Sequence, residues 1–543
     1  MKKLLLLIGV VATAFSLTAC DLPASVTKGT TDKYDSLFEN MNHGTRSNKF
    51  VFTTEDYDRI ENKLEKLEGF IEADSNATMM LLYFNSFFEE FLFVQEQYAL
   101  IYAYSNCFPN NTEIAADFSN IKTLLLKLDE KRFEYLIAFT KSKFVYTFFP
   151  DWDTADYSIL TDRDTLYDAE YYELEQKLST IEIEYNVLLS VTTKDYDALA
   201  AKLVEKVEVE NKIATKLGYT NYIEYMYEYS LRREYEYSDL SDIRTYSKQN
   251  IGQTIISLKE SLDNLNLSSE ETSKFETLSN GSFWGQEDEF KSLATEMGGD
   301  YLSNYNYFWD NGEYYFGDED SFDAAYCQKT MSQNFTLAYF GSGYYSSLNT
   351  VVHEVGHYMA AQEDYKDGSY DNVCLAEFQA QSNEMLLTAY MYNNNSTNKG
   401  YYAHAVTELY GGLSVVLASL IVSDFEYEIY NKTNLSASHI SSTMANIYAD
   451  YGVESFMRDS DEYWAATARY ATGYYISYGI SIIPSMELFF VAIDDFDQAK
   501  LDYDIIMKGE DYILPTLETL NYSSPLSSST LSSLINKCNE FIN

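Results

Sequence analysis

Val351-Val352-His353-Glu354-Val355-Gly356-His357-Tyr358-Met359 contains His-Glu-x-x-His. Leu348, Val351, Val355 and Met359 recur at spacings of three and four, which predicts a mostly buried helix. On a helix, residues four apart share a face. His353 and His357 can therefore place two imidazole nitrogens on one metal ion. Glu354 lies one residue on, about 100° around the helix, where it can reach a metal-bound water without ligating the metal. The whole chain holds only 5 histidines, so a chance pairing at this spacing is improbable.

Outward from the motif, Asn334–Phe340 is the best strand signal in its half of the chain, and Gly341-Ser342-Gly343 turns it into the helix. On the other side, Asp364–Asp371 is polar and holds Gly368, which predicts a loop. A new helix is expected from near Asn372 through Leu387. A catalytic zinc commonly has three protein ligands and an open fourth position. Two carboxylates are candidates for the third. Glu363, six residues after His357, sits where one zincin class places a third histidine after a glycine, but position 360 is Ala. Glu377 lies on the next predicted helix, where Cys374, Glu377, Gln381 and Glu384 share a face. Glu384 could orient a ligand from behind. Leu375, Phe378, Met385, Leu386 and Leu387 around them predict a largely buried helix, where unpaired carboxylates are costly.

With these segments in view, the chain resembles the thimet-oligopeptidase and oligoendopeptidase F family of zinc metallopeptidases, and the oligoendopeptidase F branch in particular. His353-Glu354-Val355-Gly356-His357 is similar to the family's His-Glu-x-Gly-His. Ala376-Glu377 and Asn383-Glu384 resemble the segment that supplies its third ligand. Ala325-Tyr326-Cys327, then Phe335–Phe340, resemble two strands upstream of its motif helix, and Gly218–Tyr229 resembles the start of its catalytic region. These matches cover about residues 210 to 490. The resemblance implies a mainly α, two-lobed helical zincin with a deep substrate channel and a small β-sheet beside the active-site helix. It implies one Zn2+ per chain held by His353, His357 and Glu377, with Glu384 behind them and Glu354 as the base. It implies short peptides as substrates, paired along Thr336, Ala338 and Phe340, with Gly356 allowing close approach of helix and strand. Near the end of the catalytic region the family has a His and nearby tyrosines that contact substrate and stabilise the oxyanion. Here the segment reads Trp464-Ala465-Ala466-Thr467-Ala468-Arg469-Tyr470-Ala471-Thr472-Gly473-Tyr474-Tyr475. Arg469 falls where the His is expected, a family tyrosine falls on Ser477, Tyr475 matches, and Tyr478 is one position from a further match. The catalytic donors are thus expected among Tyr475, Tyr478 and Arg469. Arg469 is also the feature that favours a rival reading, a lipid-anchored peptide-binding protein on a peptidase scaffold with reduced or lost catalysis.

The rest of the chain sets the context. The 543 residues can bury a large core, and only 6 prolines occur, which suits long helices. The formal net charge of -46 argues against nucleic acid or an anionic membrane surface as a partner. Lys2-Lys3, the apolar run Leu4–Phe15 and Leu17-Thr18-Ala19-Cys20 read as a bacterial lipoprotein signal (1–20), with Cys20 lipidated. This places the protein outside the cytoplasm, anchored to the bacterial cell membrane. Residues 21–50 read as a linker and 51–205 as an N-terminal helical domain. Residues 206–522 read as the catalytic domain and 523–543 as a Ser-rich tail. Asn264–Ser282 is a loop candidate, and Ser179–Asn186 could be a short strand or a helix edge. Cys107, Cys327, Cys374 and Cys538 are widely spaced and read as buried or free thiols. The oligomeric state is not legible.

Overall fold

Helices begin where the sequence supplies caps. The computed structural model describes residues 32–38, 41, 43–44, 49–148, 168–191, 193–329, 336–364, 372–455, 457–509 and 512–543. The signal segment with Cys20, much of the linker and the loop at 365–371 lie outside the described residues. Helix α1 (Thr54–Ala73) starts at a capping box between Thr53 and Asp56. In α2 (Ala77–Cys107) the Asn76 side chain accepts from Met79 N–H, and Asn111 does the same for α3 (Thr112–Lys141). These helices pack around Phe84, Phe87, Phe91, Tyr104 and Phe139, all buried. The carboxylate of Glu90 is buried among them and carries two cations, Lys63 at 2.6 Å and Arg59 at 2.9 Å, so its charge is paired.

Three strands join this body: β1 (Glu313–Phe316), β2 (Ala325–Lys329) and β3 (Thr336–Phe340). The order is β1-β3-β2, with β1 parallel and β2 antiparallel to β3. Tyr339 stands opposite Tyr315 on one side and Tyr326 on the other. Tyr315, Leu337 and Tyr339 enter the aromatic core of α2, which is why the strands belong to that body.

The chain divides into two units, Met1–Asp168 with Tyr305–Ser346, and Ala169–Asn304 with Ser347–Asn543. Helices α4 (Ala169–Ser190) and α5 (Tyr196–Lys216) belong to the second unit. Tyr185 of α4 donates to the Ala465 carbonyl, and Asn211 of α5 donates to the Tyr430 carbonyl. The Ile/Glu alternation of 179–186 is helical, with Ile181 buried and Ile183 exposed. Helix α6 spans Ser241–Asp263. The expected loop at 264–282 instead contains α7 (Ser269–Asn280), started by a capping box of Ser268 and Glu271.

The rest of the second unit is built from α8 (Leu348–Asp364), α9 (Val373–Asn394), α10 (Lys399–Tyr430), α11 (Ala437–Tyr451), α12 (Ile476–Asp494), α13 (Phe496–Met507) and α14 (Ser528–Ile542). Helices α2, α10 and α12 are long and apolar enough to cross a membrane by length and composition, and the apolar windows of α10 and α12 are 61% and 78% buried within the protein. Ser481 and Ser485 of α12 face α9, where Ser481 donates to Gln381 and Ser485 meets Ser382 at 3.1 Å. The Ser-rich tail is mostly helix: Ser527 caps α14, which buries Leu531, Leu534, Ile535 and Cys538 at helical spacing. Among the described residues the cysteines are free, with Cys107, Cys374 and Cys538 buried.

Candidate active site

Two helices build the site, and a glycine sets their distance. Ser347 caps α8, its hydroxyl meeting the Thr350 N–H at 3.4 Å. A Cβ on Gly356 would lie 2.9 Å from the Ala380 Cα on α9. The glycine therefore serves the approach of α8 to α9. Asn383 fixes the pair further by donating to the Val352 carbonyl while accepting from the Tyr301 hydroxyl.

At that distance His353, His357 and Glu377 converge. Their donor atoms lie within 4.8 Å of one another. The two Nε2 atoms are 3.2 Å apart, and Glu377 Oε2 is 3.3 Å from one and 3.8 Å from the other. Tetrahedral zinc with bonds of about 2.0–2.2 Å separates its ligand atoms by about 3.3–3.5 Å. The triangle therefore fits such an ion. The buried Glu377 Oε2 makes no directed hydrogen bond, which is the state of a carboxylate oxygen aimed at a cation. His353 Nδ1 sits 2.6 Å from Glu384 Oε1, so the carboxylate accepts from the Nδ1–H and turns Nε2 towards the other two donors. The side chain of Glu363, the alternative third ligand, lies outside the described residues.

The electrostatics agree with the geometry. Burial works against a charged His353, but Glu377 and Glu384 outweigh it and hold its pKa well above the usual value. Burial pushes His357 down to about 4, against the pull of Glu377 and with help from His353. Burial alone would raise Glu377, yet His353, His357 and a hydrogen bond from Tyr474 bring it below its ordinary value. The carboxylates of Glu377 and Glu384 thus favour positive charge at His353.

Beside it stand the residues expected to act on substrate. Glu354 is buried, 6% exposed. Burial, then Glu377, Tyr470 and Glu354, push Tyr478 well above the usual phenol range, so its hydroxyl stays a donor. Tyr475 stacks edge-on against Tyr470 and Tyr478, each at 5.6 Å. Arg469 lies over the Tyr470 ring at 5.2 Å and reaches its hydroxyl at 3.4 Å. The residue that the sequence reading passed over is Tyr474, whose hydroxyl donates to Glu377 Oε1. Its signal was present: Tyr474 and Tyr478 are four apart and their rings meet at 5.5 Å.

The expected peptide-pairing strand needs correction. Strand β3, with Thr336, Ala338 and Phe340, is the central strand and bonds to a neighbour on each side. Its residues are all buried. A further strand can join this sheet only at an edge, next to β1 or β2.

No protein-family model matches the chain, and no curated protein matches it in sequence. Solved structures do. A protein described as an oligoendopeptidase F from Bacillus anthracis str. Ames superposes with a TM-score of 0.64 at 16% identity, over 92% of this chain and 97% of that one. PZ peptidase A, solved with an inhibitor, gives 0.66 at 13% identity over 91% and 99%. Oligoendopeptidase-F from Enterococcus faecium gives 0.52 at 14% over 90% and 97%. At such identities the shared property is the fold, and the chain has the helical fold of oligoendopeptidase F.

Proposed function

We propose that the protein is a zinc-dependent endopeptidase of the oligoendopeptidase F family, acting on short peptides. The observation that carries this reading is the convergence of His353 Nε2, His357 Nε2 and Glu377 Oε2, with Glu354 buried beside them. A zinc ion held there would polarise a peptide carbonyl and lower the pKa of a water. Glu384 and Tyr474 orient the ligands, one through His353 Nδ1 and the other through Glu377 Oε1. Glu354 takes the proton of the attacking water on its carboxylate and delivers it to the leaving amine nitrogen. Tyr478, kept protonated, would donate to the developing oxyanion, and Tyr475 lies edge-on against its ring. Arg469, seated on the Tyr470 ring, would bring a positive charge to the Tyr470 side of this tyrosine cluster.

The test is metal analysis joined to cleavage of a quenched mixed peptide library. One zinc per chain with cleavage supports the reading. Zinc or peptide binding without cleavage would indicate a binding protein instead, and neither would overturn both. The proposed site of action is the outer face of a bacterial membrane, through a lipid on Cys20. This rests on Leu17-Thr18-Ala19-Cys20. Cys20→Ser should move the protein from the detergent phase to the aqueous phase in a bacterial host.

A further inference from the structure

The tyrosines of the candidate site hang from a turn that is gripped elsewhere. Gly473 sits at φ +76°, a conformation that side chains disfavour, immediately before Tyr474. Both of its main-chain polar groups are held by ionisable side chains. Glu426 on α10 accepts the Gly473 N–H at 3.0 Å. Arg233 donates to the Gly473 carbonyl and, through the same nitrogen, to Ser477 Oγ at 2.7 Å. Arg233 is itself fixed: it is 9% exposed, lies 4.4 Å over the Tyr227 ring and donates to the Tyr235 hydroxyl at 3.0 Å. Tyr227 belongs to a π-helical turn, Met226–Ser230, whose residues also pack against Gly473. Ser477, where the sequence departs from the family's tyrosine, is fully buried and serves as the second anchor of Arg233.

We propose that Arg233 and Glu426 are positioning residues that clamp Gly473, and so hold Tyr474 on Glu377 and Tyr478 beside Glu354. Neither touches the ligand triangle in the contacts seen; they act through the turn. A cationic donor held in a fork resists displacement more than a neutral donor does, and the Glu426 carboxyl accepts from the Gly473 N–H in either protonation state. Catalytic groups lose rate steeply when displaced by about 1 Å. The inference rests on the peptidase reading above.

The test uses the full chain loaded with zinc, and the variants Glu426→Leu, Glu426→Gln and Arg233→Lys. Glutamine can still accept from Gly473 N–H, leucine cannot, and lysine keeps the charge of Arg233 without its fork. Hydrogen exchange of the segment 468–478 and peptide cleavage are measured well below each variant's melting temperature. Glu426→Leu and Arg233→Lys should retain zinc, speed exchange in that segment, and lower kcat by about ten- to a hundredfold with KM little changed. Glu426→Gln should recover most of what Glu426→Leu loses, an outcome that a merely structural role does not require. Unchanged exchange in both disruptive variants, or faster exchange at the parental kcat, overturns the clamp. Failure of the parent chain itself to bind zinc and cleave peptide overturns the peptidase reading and the clamp's catalytic role with it. The exchange measurement on the parent and its variants then still separates a clamped turn from a free one.

Discussion

Glu384 shows how a residue can matter without touching a metal. It meets His353 Nδ1 at 2.6 Å, and that contact selects the tautomer whose Nε2 faces Glu377. Glu384→Gln should weaken zinc binding by about ten- to a hundredfold, read by chelator competition. Unchanged affinity would mean that the packing of α8 on α9 alone orients His353. Tyr474 acts in the same way on Glu377, the proposed third ligand, holding its Oε1 and leaving Oε2 to the triangle. This pairing is not legible in local spacing, because Glu377 and Tyr474 are 97 residues apart and meet only when the chain leading into α12 folds back on α9.

Among the elements, α8 and α9 matter most, and at Gly356 they approach too closely for a side chain. A methyl there would need to pass within 2.9 Å of Ala380 Cα, a backbone atom that cannot swing away. Gly356→Ala should cost about 1–3 kcal/mol of stability, seen as a lower Tm, and should weaken zinc binding because His357 follows directly. Parental Tm and affinity would show that α9 yields. Helix α10 supplies a pH test. Burial pushes Glu426 up to about 7, assisted by Glu210 and opposed by Gly473 N–H, Lys206 and Arg233. An acid raised on folding keeps its proton in the folded chain where the unfolded chain has lost it. This group's contribution to stability is therefore greatest at low pH, falls as pH rises from its ordinary 4.5 through about 7, and is flat above. Glu426→Gln, neutral throughout, should show a flatter profile of Tm against pH between 5 and 7 than the parent. Parallel profiles would contradict the shift.

At the scale of the whole molecule, what was legible in the sequence was what lies close together along it. The motif helix, the helix of Glu377 and Glu384, and the helical character throughout follow from local spacing. The helix at 269–280 was hidden by its Ser and Glu content, although Ser268 and Glu271 form a capping box. The terminal helix at 528–542 was hidden likewise by serines on its exposed face. The unit boundary is set by long-range packing. Strands 313–340 join the aromatic core of α2, while α4 and α5 bind the segment that leads to Tyr474. The placement of substrate along Thr336–Phe340 failed for a similar reason: strand order is not written in a strand's own residues.

In the proposed reaction Glu354 moves a proton for a metal held by His353, His357 and Glu377. The most direct measurement compares parent and Glu354→Gln, each loaded with zinc to the same stoichiometry, on one quenched peptide. The account predicts equal zinc content and a fall in kcat of about a hundred- to ten-thousandfold. Parental turnover in Glu354→Gln at full zinc occupancy would contradict it.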